Sequence, residues 1–128
     1  MGVDVPGPSC VLVVIDRMTG RAYSFGNRYD PTFSHTGVAV PAYLGPRPVG
    51  SFPIDESPFG IRDTNGGVMS WCFNLGYAQF RGSRPIRGGS WNHGFARARS
   101  ATTSGNLPTA FGADLGFRLA ACPIFWEA

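Results

Sequence analysis

The sequence contains no lysine; all eleven of its basic residues are arginine. Histidine occurs twice and cysteine three times. Each shortage excludes something. Nucleic-acid binding needs a basic stripe or a recognisable module. Here the arginines are scattered, and only Arg81, Arg84 and Arg87, then Arg97 and Arg99, lie close together. The lack of lysine reads as coding bias, and no nucleic-acid partner is expected. A phosphate-cradling loop is excluded as well, since "GGVMS" lacks the lysine. Cys10, Cys72 and Cys122 match no zinc spacing and no dense disulfide framework. One pair can form, but spacing does not choose it. Buried free thiols are the simpler reading for Cys72 and Cys122.

Long apolar runs are missing too. "CVLVVI" is too short for a membrane span or a signal sequence, and no basic segment precedes it. The expectation is a soluble chain, with the cytoplasm favoured. What the sequence does have is eighteen glycines and eleven prolines in 128 residues. Runs without either rarely exceed about ten residues, near the lower limit for a useful helix. Short strands, few helices and much ordered loop follow. The length suits one domain with a real core.

Along the chain, residues 1–9 read as a loose arm and "VLVVI" as a buried strand. "DRMTG" then turns back into "RAYSF" as a hairpin. Residues 26–50 have no sustained period and read as a long packed loop. Phe52, Phe59, Ile61, Val68, Met69 and Trp71 are apolar anchors threaded through turn residues. "DTNGG" predicts a tight turn with positive φ and inward carbonyls. "RPIRGGSW" and "LGFRLAACPIF" read as core strands, with a polar loop over 92–115 between them.

Few residues carry chemistry. His93 is a weak candidate base, with no acid nearby in sequence to hold its tautomer. A solvated loop histidine is the simpler reading. Asp55 and Glu56 read as a solvated turn. Asp63 is better motivated, because the carbonyls of Gly66 and Val68 can converge with it on a calcium ion. The competing reading is an Asx-turn at Asp63.

Four ordered motifs carry a resemblance: "YSFGNRYDP", "PVGSFPIDESPFGIRDTNGGVMSWC", "IRGGSW" and "LGFRLA". Residues 21–128 resemble the C-terminal part of the sulfatase-modifying-factor domain, the family of the formylglycine-generating enzyme. The copies fused to bacterial serine/threonine kinases look most similar. Residues 1–20 stand outside the likeness as an arm and a divergent strand. The resemblance implies an α+β, irregular, short-stranded fold like that of C-type lectins, truncated at its N-terminal side. Beyond that it implies oxidation of a substrate cysteine to formylglycine by two copper-binding cysteines. Their positions fall on His93 and Ala98. A soft Cu(I) site needs thiolates, so copper is not expected. The likeness also maps calcium ligands onto Asp63, Gly66, Val68 and Ser70, with Ser70 standing where an acidic ligand belongs.

The reading that follows is a binding or accessory module for a protein or peptide ligand. Trp91, His93, Phe95, Arg97 and Arg99 form the base of its display loop, since aromatics and arginines are common anchors. Trp91 also reads as core. One alternative is an enzyme with altered chemistry at His93. A second is a variable ligand-display protein of the diversity-generating retroelement type. A third is a degenerate fragment, and a missing N-terminal half or fused domain belongs with it.

Overall fold

The computed structural model describes residues 20–72 and 82–119. Its regular structure is four short strands: β1 Met69–Trp71, β2 Arg84–Arg87, β3 Ser104–Asn106 and β4 Leu115–Gly116. They form one sheet in the order β3-β2-β1-β4. β2 pairs antiparallel with β1 and β3, while β4 runs parallel to β1. Among the described residues the one helical piece is a 3-10 turn, Phe95–Ala98. This is the irregular, short-stranded α+β arrangement that the resemblance implies, with the short strands and abundant loop that the glycine and proline content predicts.

Glycine decides where β2 ends. Gly88 and Gly89 take φ values of 100° and 66°, a region that a strand does not use. A Cβ on Gly89 would stand 2.9 Å from the Cα and the nitrogen of Ala98. The bare backbone at Gly89 therefore lets the 3-10 turn pack directly on the end of β2. "RPIRGGSW" is thus a strand only over its first four residues.

Among the described residues the buried side chains are largely polar. Tyr23, Ala39, Phe52, Met69, Ile86 and Ala98 are the buried apolar ones. Ser24, Ser34, His35, Thr36, Asp55, Ser57, Asn65, Ser90 and Ser100 are buried beside them. Among the described residues the buried polar side chains are many, so hydrogen bonds must carry much of this region's specificity. Aromatic rings add a ladder at one side. Tyr23 stacks on Phe25 at 5.2 Å, and Tyr29 stacks on Phe95 at 5.0 Å.

Several expectations change here. Residues 26–50 are indeed a loop without strands or helices, and it is well anchored: Gly37 N donates to His93 O and Gly67 N donates to His35 O. Among the described residues "RAYSF" makes an isolated bridge, Tyr23 to Gly26; the hairpin expected with 11–15 lies outside the described residues. Within the described part of the last apolar segment, Leu115–Gly116 pair with β1, and Phe117 and Leu119 are exposed. Residues 120–128, including Cys122, are outside the described residues. Phe59 and Val68 are exposed, so the anchors of the central segment are Phe52 and Met69. Residues 92–115 contain the 3-10 turn, β3 and the start of β4.

His35 predicts an acid sensitivity. Burial holds its imidazole below the usual histidine range, against a backbone hydrogen bond with Tyr43 that pulls it up; the Arg47 charge adds a further downward push. A depressed folded pKa means stability that is full above the unfolded value of 6.5 and lost as pH falls through the folded one. Asp55 acts oppositely. Burial raises its carboxyl, so its contribution is full below 3.8 and lost as pH rises through the folded value. The difference between wild type and His35→Gln isolates the first effect. Melting temperatures should converge as pH drops from 7 through 5; parallel curves would remove His35 as the acid-sensitive group.

Candidate functional site

The end of β2 delivers Ser90, Trp91 and His93 to one place. Ser90 is fully buried, and its hydroxyl donates to Asp114 Oδ2 at 2.8 Å. The same oxygen lies 2.8 Å from His93 Nδ1. Since the Ser90 proton goes to Asp114, the Ser90 oxygen accepts from His93 Nδ1–H. The carboxylate itself stands 3.8 Å from Nδ1. His93 Nε2 is then the ring's free acceptor, with Arg97 Nη1 at 3.4 Å. An acid does hold the His93 tautomer: Asp114, the residue before β4, acting through a serine. Local sequence around His93 did not show it.

This chain of groups is not a serine-nucleophile device. There the histidine accepts from serine and the acid sits behind the histidine. Here serine sits between the two, buried, and acts as a relay. What it leaves for chemistry is one imidazole nitrogen facing outward beside a guanidinium.

Beyond His93 the chain turns through Phe95–Ala98, and three of that turn's four carbonyls are held from outside it. Tyr23 Oη donates to Phe95 O at 3.2 Å, Thr102 Oγ1 to Ala96 O at 3.1 Å, and Asn65 Nδ2 to Ala98 O at 2.7 Å. Asn65 belongs to a buried network. Its Oδ1 accepts from Ser24 N at 2.9 Å and meets the Ser24 hydroxyl, which also lies 3.1 Å from Asp55 Oδ1. Asp55 Oδ2 accepts from Asn65 N at 3.0 Å. With Thr64 Oγ1 also 3.3 Å from its Oδ1, Asp55 is a buried support with three donors around it. The expectation of a solvated turn fails because Ser24 and the 63–65 turn close over it; only Glu56, paired with Arg62 at 2.7 Å, faces solvent.

Of the expected display residues, Phe95, Arg97 and Arg99 are exposed, and Trp91 and His93 are half-buried. Trp91 is tied by its backbone to Gly67 O at 2.9 Å, while its indole nitrogen is buried without a partner. Ala98 is 1% exposed. At the position that the family likeness gives to the second cysteine there is a sealed methyl group, and at the first an imidazole turned onto Ser90. These residues do not fit a Cu(I) site. Cys72 is a free thiol on the other side of β1's end, and burial pushes it up from the usual range against the nearby Arg87 charge.

The Asp63 turn has the predicted geometry, with φ of 56° at Asp63, 145° at Gly66 and 73° at Gly67. Its carboxylate makes no Asx-turn; Oδ2 accepts from Gly50 N at 2.9 Å. Arg118 donates to the carbonyls of Arg62 and Asp63. A guanidinium thus already sits on this turn. One carboxylate beside an arginine is a poor donor set for a divalent cation. Among the described residues no three His, Cys, Asp or Glu side chains gather as a metal-binding group.

A family model, the sulfatase-modifying factor enzyme 1-like domain, matches residues 16–122. The chain belongs to this family. Two solved structures share its fold. PvdO from Pseudomonas aeruginosa superposes with a TM-score of 0.70 at 21% identity, covering 86% of this chain and 49% of that one. Treponema denticola variable protein 1 superposes with a TM-score of 0.57 at 19% identity, covering 67% of this chain and 34% of that one. The chain thus spans half or less of the length of these two relatives. No curated protein matches it. Among the described residues no helix is long and apolar enough to cross a membrane.

Proposed function

We propose that this sulfatase-modifying-factor domain is a ligand- or protein-binding accessory module without copper–cysteine oxidase chemistry. The observation that carries this reading is Ala98, buried and donor-free, with its backbone packed on Gly89 where the family's second thiolate belongs. What remains exposed around it suits recognition. Phe95 offers part of a ring stacked on Tyr29, and Arg97 and Arg99 project beside it. The carbonyl bonds from Tyr23, Thr102 and Asn65 hold this turn in one shape. A preordered turn loses less entropy on binding than a floppy one.

The test is selection of peptides from a random displayed library on the immobilised full chain. Phe95→Ala and Arg97→Ala are expected to weaken selected peptides by about tenfold or more each, as interface anchors do; the melting temperature should be nearly unchanged in Arg97→Ala and lower by a few degrees in Phe95→Ala, which loses the stack on Tyr29. Peptides that bind both variants as well as wild type would move the binding surface elsewhere.

A second reading is an enzyme using His93 as a base. The relay from Asp114 through Ser90 favours it, because it fixes the tautomer that leaves Nε2 able to take a proton. The calcium reading at Asp63, Gly66, Val68 and Ser70 rests on the family likeness; a melting temperature that rises with calcium relative to EDTA would support it, and an unchanged one would remove it.

A further inference from the structure

The Ser90 hydroxyl is fully committed. Its proton goes to Asp114 Oδ2, and its oxygen accepts from His93 Nδ1 at 2.8 Å and from Asn92 N at 3.2 Å. A hydroxyl has one proton and two lone pairs, so it has no further bond to offer. The neutral His93 ring is thereby held with its proton on Nδ1 and its lone pair on Nε2. Arg97 Nη1 stands 3.4 Å from that lone pair. Among the described residues this is the guanidinium's one hydrogen-bond contact, and no carboxylate lies within ion-pair reach of Arg97 or Arg99.

A guanidinium that faces only a neutral imidazole is an unneutralised cation, and it is complementary to an anion. An anion seated on Arg97 meets the Nε2 lone pair, which repels it. One proton on Nε2 reverses this. The ring then donates from both nitrogens, and Nε2–H joins Arg97 Nη1 as a second charged donor to the same group. Two charged side chains lie within hydrogen-bond or ion-pair reach of the ring among the described residues. Asp114, 3.8 Å from Nδ1, favours the extra proton. Arg97 opposes it until an anion sits between the two cations.

The surface beside this pair is apolar. Phe95 lies two residues before Arg97 on the same 3-10 turn, is 44% exposed, and has its ring stacked on Tyr29. A small inorganic anion would leave that ring unused. An acidic side chain next to an apolar one on a peptide uses both. We infer that this surface captures an acidic peptide with uptake of a proton: an aspartate or glutamate carboxylate bridges Arg97 and a protonated His93 Nε2, and an apolar neighbour lies on Phe95. The inference rests on the binding-module reading of the same surface and adds the partner's charge and its pH dependence.

The test uses two displayed peptide libraries on the immobilised full chain, one with a fixed central glutamate and one with a fixed central glutamine. Selection is at about pH 6, where a free carboxyl is ionised and an ordinary histidine is mostly protonated. The glutamate library should yield the binders. Each should weaken about tenfold or more when its glutamate becomes glutamine, or on Arg97→Gln, the effect of one charge-assisted hydrogen bond. The same peptides should bind about tenfold more weakly at about pH 8, as the ring gives up its second proton. His93→Gln should bind them with no pH dependence, because its amide donates at either pH. Acid weakens the fold through His35, so loss of stability runs opposite to this gain in binding. Binding enthalpies of wild type in buffers of different ionisation heat should show a proton taken up, which decides the matter if His93→Gln folds poorly. Peptides drawn equally from both libraries, or glutamate peptides that bind without pH dependence and proton uptake, overturn the inference and leave the binding-module reading standing. Binders from neither library overturn both.

Discussion

Gly66→Ala is expected to unfold this domain or bring it close to unfolding. An added Cβ would stand 2.5 Å from the oxygen of His35 and 2.8 Å from its carbonyl carbon. These are backbone atoms, and Gly67 N donates to that same oxygen at 2.8 Å, so His35 cannot step aside without breaking the bond that ties the 26–50 loop to the turn. The φ of 145° at Gly66 adds strain for any side chain. Overpacking costs about 1–3 kcal/mol and backbone strain about the same. The sum approaches the ~5–15 kcal/mol that holds a typical domain together. Gly67→Ala is the control. Its φ is also positive, at 73°, but a Cβ there meets nothing within 4 Å. It should cost only the left-handed penalty of about 1–2 kcal/mol. The measurement is thermal unfolding by near-UV CD. A melting temperature lower by roughly ten degrees or more for Gly66→Ala, and by a few degrees for Gly67→Ala, is the expected ranking. Equal effects would mean that the His35 approach is not what the turn is built around.

Asn65→Ala carries the second large effect. The residue has no exposed surface. Truncation leaves Ser24 N and Ala98 O buried without partners and opens a small void. Each orphan costs about 1–3 kcal/mol, so a loss of roughly 3–5 kcal/mol is expected. Asn65→Asp keeps the shape but loses the donor to Ala98 O. It also puts a carboxylate beside Asp55, whose own carboxyl burial already raises. Two close carboxylates cannot both ionise cheaply. This variant should be the worse of the two at neutral pH and should regain stability on acidification, as one carboxyl takes a proton. Asn65→Ala should show no such recovery. Matching pH profiles would separate Asp55 from Asn65 and break the proposed network.

Much of this was legible in the residues. "DTNGG" announced its positive φ values, and the prolines and glycines of 26–50 announced a packed loop. The ordered motifs announced the family. What stayed hidden depends on contacts distant in sequence. Asp55 looks like a surface turn residue because its neighbours are polar; only the approach of Ser24 and Asn65 buries it. His93 looks unsupported because Asp114 lies 21 positions further on and reaches it through Ser90. Strand length was overread for a related reason. Apolar content marks "RPIRGGSW" as a strand, but Gly88 and Gly89, at φ of 100° and 66°, end β2 at Arg87, and the bare Gly89 backbone packs on the distant Ala98 instead. The polar core of Ser24, Asp55, Asn65 and Ser90 has no periodic signature at all.

The most direct test of the proposed loss of oxidase chemistry is Cu(I) affinity, measured by competition with a chromogenic chelator. Wild type is compared with a chain carrying Cys10→Ser, Cys72→Ser and Cys122→Ser. If the Ser90–Ala98 segment holds no copper site, any tight Cu(I) binding by wild type disappears in the triple variant, because His93 alone cannot replace two thiolates. Tight Cu(I) binding that survives in the triple variant and is lost on His93→Ala would contradict the reading and restore a metal centre at the family's catalytic position.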